Sequence, residues 1–234
     1  MKITYSPLQL DIDMPENIIV NLVLENPYDF TEFVMDLQSQ FEGEDGLSIL
    51  SEGSRELNWY KAGSIITDFI GLSVNSKKVL NHLYKLMETI GCEEAELKGN
   101  LLTQSVQALE KIISSMKYDC ITYNLDFAWH DFFKMFNVHI ADDTELLSEK
   151  LINYMRVCSD LLGNKILCLV NAKSYFPKKD IMEIYQMSEY FKLHLLMIES
   201  RERTDTENEI FYIVDNDHCL IIKDTRLGEN QFEV

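Results

Sequence analysis

The sequence predicts an α/β protein whose parallel-rich sheet is built from both ends of the chain, with an α-helical segment inserted between them. Three observations carry that prediction. Largely apolar runs of strand length stand near both ends, at residues 18–24, 166–170 and 193–198, as expected for strands covered on both faces. The latter two flank a helical stripe, so strand, helix and strand alternate in the order of a parallel crossover. Between residues 59 and 140 proline is absent, glycine is sparse, and apolar residues recur at helical spacing.

Taken in order, the run 18–24 ends at Asn26-Pro27. Phe30, Phe33, Val34, Leu37 and Phe41 then mark one face of an amphipathic helix. Residues 42–53 hold three glycines and several acids, which reads as a loop with room for a short strand at 47–50. Ile66, Phe69 and Ile70 open the helical texture, and Asn75-Ser76 supplies a cap for the stripe Val79, Leu80, Leu83, Leu86, Ile90. A second long stripe runs from Leu101 to Ile113, and a short aromatic one from Phe127 to Phe136. Residues 146–162 form a further helix closed by Gly163-Asn164. A helix over 178–191 follows Pro177, and residues 210–214 and 219–222 read as two short strands across an acidic turn. The domain reading is therefore a head of residues 1–60 and 143–234 and a helical leg of residues 61–142.

Composition excludes several classes. No apolar run approaches the roughly 20 residues of a membrane helix, and the start Met1-Lys2-Ile3-Thr4-Tyr5 lacks the build of a signal peptide. The expectation is a cytoplasmic protein that makes no membrane contact. The five cysteines are scattered without a C-x-x-C pair and read as small buried hydrophobes rather than a disulfide or thiolate-metal framework. The formal net charge of −18 opposes nucleic-acid binding, which draws on Lys and Arg to release counterions. Its distribution is uneven, however. Residues 1–60 carry two basic and twelve acidic side chains, whereas residues 61–142 carry eight lysines against ten acids.

Catalytic patterns are missing. Neither Gly71-Leu72-Ser73-Val74-Asn75-Ser76-Lys77-Lys78 nor Asn171-Ala172-Lys173-Ser174 has the glycines of a phosphate loop. The five histidines match no metal or hydrolase motif, and no nucleophile elbow is present. The expectation is that the protein is not an enzyme. Local basic pairs, Lys77-Lys78 and Lys178-Lys179 with Lys173 nearby, are solvated faces or phosphate contacts. The charge run 199–209 reads as a solvated loop, in which Arg201 and Arg203 sit among Glu199 and Glu202 and are salt-bridge partners or DNA contacts.

Several motifs, in order along nearly the whole chain, resemble the type II-A CRISPR adaptation accessory family, the Csn-two proteins. Asp68-Phe69-Ile70-Gly71-Leu72-Ser73-Val74-Asn75-Ser76 resembles the family's D-x-x-G-x-x-V-N-S. Leu167-Cys168-Leu169-Val170-Asn171, with Tyr175-Phe176-Pro177-Lys178 after it, resembles a strand, an Asn loop and a Lys-opened helix. Leu196-Met197-Ile198-Glu199-Ser200-Arg201-Glu202 is similar to L-F-L-E-P-R-E, with Ser200 in place of proline. The resemblance implies a head like a degenerate P-loop ATPase and a helical leg. It implies a homotetrameric ring that binds the ends of linear double-stranded DNA without sequence preference or catalysis, acting in spacer acquisition beside the CRISPR integrase complex and an RNA-guided nuclease.

On that resemblance Lys77, Lys78, Lys173, Lys178 and Lys179 are the candidate DNA contacts, and calcium is the implied cofactor. Of the family's acidic metal positions only Asp119 and Asp126 are matched here, two carboxylates where calcium takes about six to eight oxygens. The alternative reading is a protein-interaction scaffold that docks the integrase and nuclease, with DNA contact incidental. A nucleotide-hydrolysing switch is a third reading, which the missing Gly-Lys-Ser/Thr opposes.

Overall fold

The computed structural model describes residues 1–118, 120–142, 144–203, 206 and 208–226. The chain divides into two compact units, Met1–Val74 with Asp142–Val234, and Asn75–Ala141.

The first unit opens with strands β1 (Lys2–Tyr5) and β2 (Leu10–Asp13), then β3 (Ile19–Leu24), helix α1 (Pro27–Glu42), strands β4 (Ser48–Glu52) and β5 (Arg55–Leu57), the single turn α2 (Trp59–Ala62) and strand β6 (Gly63–Ile66). The second unit holds α3 (Lys77–Glu93), α4 (Ala95–Ser114) and α5 (Trp129–Met135). The chain returns to the first unit with α6 (Leu147–Asp160), β7 (Ile166–Val170), α7 (Lys178–Tyr190), β8 (His194–Glu199), β9 (Glu209–Val214) and β10 (Leu220–Asp224).

A six-stranded sheet runs in the order β10-β9-β3-β8-β7-β6. Its strands from β9 to β6 are parallel, and β10 pairs antiparallel with β9. Alternate residues of these strands point to opposite faces. Val20, Leu22, Leu24, Ile166, Cys168, Leu196 and Ile198 join Phe33, Leu37 and Phe41 of α1 in one core. Ile19, Leu167, Leu169, Leu195 and Met197 join Leu151 and Met155 of α6 and Ile181 and Ile184 of α7 in the other. Coverage on both faces is why the strands read as largely apolar runs. Each large aliphatic side chain so buried contributes about 1.5–3 kcal/mol.

A second, antiparallel sheet in the order β2-β1-β4-β5 places Ile3, Tyr5, Leu10, Ile12 and Leu50 in the α1 core. The α/β class and the helical insertion stand as expected, but three local readings are corrected. β1 and β2 lie in a stretch with no strand expectation, because two four-residue strands, of which β1 also pairs with distant β4, leave little local signal. Ile66 and Phe69 are not helical. Ile66 ends β6, which pairs with β7, so residues 61–74 belong to the sheet-bearing unit rather than to a helical leg. Gly63 makes that edge possible, since a Cβ there would lie 2.3 Å from the Ile166 carbonyl oxygen. Beyond β6, the Asp68 carboxylate accepts from the Ile70 and Gly71 amides at 3.0 and 2.9 Å and turns the chain. Finally, only Cys158 and Cys168 are buried, while Cys92, Cys120 and Cys219 are exposed; these three lie on an exposed helix end, an irregular segment and a tight turn rather than facing a core.

In the helical unit, Ser76 caps α3 through the Val79 amide. Tyr84, Trp129 and Phe133 form a small core joined by Leu83, Met87, Leu101 and Phe127. Gly91 lets α3 approach the indole, since a Cβ there would meet Trp129 at 2.7 Å. Asn75 ties the two ends of the unit together, its amide donating to the Ile140 carbonyl and accepting from the Ile140 amide, both at 2.8 Å.

Candidate functional site

In open α/β sheets ligands bind beyond the carboxyl ends of the strands, where β7 and β8 place several of the candidate residues. β7 is followed at once by Asn171, which adopts a left-handed conformation with φ 54°. Its side-chain oxygen accepts from the Ser200 amide and hydroxyl, each at 3.2 Å. The Lys173 amide donates to Glu199 Oε1 at 2.9 Å, and Arg203 donates to Ser174 Oγ at 2.6 Å. The loops after β7 and β8 are thus laced to each other.

Beneath them lies a buried polar network. Glu209, fully buried, receives Lys173 Nζ at 2.6 Å, the Tyr185 hydroxyl at 2.7 Å and Asn21 Nδ2 at 3.1 Å on the same carboxylate oxygen. The Thr206 amide donates to its other oxygen. Lys173 also stands 4.8 Å above the Phe211 ring. Burial pushes the Glu199 carboxyl above its ordinary range, and the neighbouring Lys173 amide and Arg203 oppose that rise. Beside the network a cleft of about 680 Å³ is lined by Lys173, Lys178, Arg201, Arg203 and Thr206 among others.

This arrangement corrects one expectation and bears on another. The charge run 199–209 is not solvated throughout: Glu199 ends β8 and Glu209 begins β9, at 1% and 0% exposed, while Ser200, Arg201, Glu202 and Asn208 between them are exposed. Residues 204, 205 and 207 lie outside the described residues. Lys173, named as a DNA contact, has a side chain only 6% exposed and a carboxylate already bound. A phosphate would have to displace a buried ion pair to reach it, and breaking such a pair costs about 3–5 kcal/mol.

The other four lysines share one feature. Lys77 and Lys78 are the first two residues of α3, and Lys178 and Lys179 are the first two of α7. Lys77, Lys178 and Lys179 are exposed, and Lys78 is half-buried. Cations are disfavoured at a helix N-terminus, where the backbone already presents positive charge and unsatisfied N–H groups. Two basic pairs in that position make locally positive sites on an otherwise acidic chain.

Of the two candidate metal ligands, Asp119 lies outside the described residues. Asp126 is exposed and accepts from Asn124 Nδ2 at 2.9 Å. Among the described residues no group of three or more His, Cys, Asp or Glu is placed to hold a metal ion.

The junction from β3 to α1 bears on nucleotide binding. Only Glu25 and Asn26 separate strand from helix, and the Asn26 side chain caps α1 through the Tyr28 amide at 2.9 Å. A phosphate loop needs a longer glycine-bearing turn at such a junction. Among the described residues no helix is long and apolar enough to cross a membrane.

The sequence reading missed the buried partners of Lys173. One signal was legible, because Asn21 interrupts the apolar run 18–24, and a polar side chain in a doubly covered strand requires a partner. Nothing in the sequence indicated that the partner would be Glu209.

A mixed α/β unit and a helical unit inserted between its strands define the class of protein. Within that class, the family model described as CRISPR-associated protein (Cas_Csn2) matches residues 40–218, and the chain belongs to that family. It is 21% identical over 196 residues, 82% of each chain, to the CRISPR-associated protein Csn2 of Streptococcus agalactiae. It is 22% identical over 225 residues to the Csn2 of Enterococcus faecalis, covering 94% of this chain and 98% of that one.

Proposed function

We propose that the chain assembles as a homotetrameric ring that binds linear double-stranded DNA without sequence preference and without catalysis, in CRISPR spacer acquisition. The observation that carries this reading is α4. It is a 20-residue helix, and among its described side chains none is buried. Leu97, Leu109 and Ile112 are between 40% and 62% exposed along it, and Met116 just beyond its end is 48% exposed. An amphipathic helix draws most of its stability from packing its apolar face, and a second copy of the chain supplies the missing cover. Family membership supports the CRISPR setting, and the lysine pairs opening α3 and α7 support phosphate contact. A closed ring needs only such weak, nonspecific contacts, because topology rather than affinity retains the DNA.

The test is a gel-shift comparison of linear duplex DNA with a covalently closed circle of the same sequence, each with and without calcium. Binding to the linear form alone is the expected result; equal binding to both means an open surface patch and defeats the ring. The calcium lanes report whether metal is required.

A protein-docking scaffold is the second reading. It is favoured by the withdrawal of Lys173 into the core and by the net charge of −18. Binding of neither DNA form would move the assignment there.

A further inference from the structure

Beside the N-terminal half of α1 lies a pocket of about 370 Å³ walled by Tyr5, Leu8, Gln9, Asp29, Glu32 and His218. Asp29 and Glu32 are three residues apart on α1 and share a face. His218, held at φ 59° in the turn between β9 and β10, sets Nε2 2.9 Å from Asp29 Oδ2. The two are at ion-pair distance without hydrogen-bond alignment, and that buried oxygen has no hydrogen-bond partner among the described residues.

Tyr5 is 2% exposed, packed edge-on against Phe33 at 4.9 Å. No hydrogen bond to its hydroxyl is seen among the described residues. Burial raises its phenol above the ordinary value, and the carboxylates of Asp36, Glu32 and Asp29 raise it further, so the potential at this wall is negative. Beyond the pocket, Tyr28 and Met35 stand 80% and 65% exposed on α1. Tyr28 is one turn before Glu32, which makes an apolar shoulder beside an acidic hole.

We propose that this pocket receives an arginine side chain from a basic segment of a protein partner. Asp29 and Glu32 face the guanidinium, Tyr5 offers its unpaired hydroxyl, and Tyr28 and Met35 cover the apolar residues that flank the arginine. Charge complementarity selects the occupant, since residues 1–60 carry twelve acidic and two basic side chains. A phosphate is repelled there. A bare metal ion finds two carboxylates where it wants about six to eight oxygens, whereas a planar guanidinium suits paired carboxylates. None of the lysines argued for DNA lines this pocket, so the inference is independent of the ring reading.

The experiment is calorimetric titration of the full chain with a capped five-residue peptide bearing a central arginine between leucines, and with its citrulline counterpart. Saturable binding of the arginine peptide, at least tenfold weaker binding by Glu32→Gln and by Asp29→Asn, and no binding of the citrulline peptide are expected. The DNA gel shift of both variants should stay at the wild-type level. Glu32 is exposed, so its variant keeps the fold if the helical circular-dichroism signal is unchanged. Absence of binding, equal binding of the citrulline peptide, unchanged affinity in Glu32→Gln, or displacement of the peptide by equimolar calcium would each overturn the proposal.

Discussion

Lys173 shows how one residue's role turns on its surroundings. By type and position it resembles a phosphate ligand at the end of a strand, yet its ammonium is spent on Glu209. Lys173→Met leaves a buried carboxylate without its cation, and the expected loss is about 3–5 kcal/mol of stability, read as a lower denaturant midpoint. The double variant Lys173→Met/Glu209→Gln should recover part of that loss, because an uncompensated buried charge is what costs most. Glu199 makes a pH-dependent contribution of opposite character. Burial raises its folded-state pKa above the ordinary 4.5, so its stabilising contribution is full below about that pH and is lost as pH rises through the raised value. Comparing unfolding midpoints of wild type and Glu199→Gln from pH 4 upward should show the wild type losing ground with rising pH; parallel curves would contradict the assignment.

At the scale of elements, the lysine pairs that open α3 and α7 work against helix stability. Each cation at that end costs about 0.3–1 kcal/mol, so replacing Lys77, Lys78, Lys178 and Lys179 with Ala should leave the melting temperature unchanged or raised. If they bind DNA, the same variant should bind more weakly at every sequence, with a log–log salt slope shallower by about one for each phosphate no longer neutralised. A stability gain with unchanged salt slope would mark the pairs as surface charge only. The helices themselves are well legible in the sequence, since α3, α4, α6 and α7 carry long apolar stripes and α3 opens on a serine cap. The short strands β1, β2, β5 and β6 are not. β6 reads as helical because Ile66, Phe69 and Ile70 share a spacing of three and four, which a strand end followed by an Asp68 turn also satisfies.

For the whole molecule, assembly is the decisive property. Ile112→Glu, at a residue 62% exposed, is harmless to an isolated chain and places a charge in any interface that covers α4. Sedimentation should show a tetramer for the wild type and smaller species for the variant; a wild-type monomer at micromolar concentration would defeat the ring. The sequence by itself determined the α/β class, the strand–helix–strand order, the helical insertion and the lack of a phosphate loop, because each is written in local periodicity or in the residue types of a short motif. The tertiary structure alone decided that β6 belongs to the sheet, that Glu199 and Glu209 are buried, that Lys173 is a core residue, and that Tyr5, Glu32 and His218 meet at one pocket. Those facts depend on residues far apart in the chain, Asn21 with Glu209 and Asp29 with His218, and a side chain's type does not encode which distant partner the packing will bring to it.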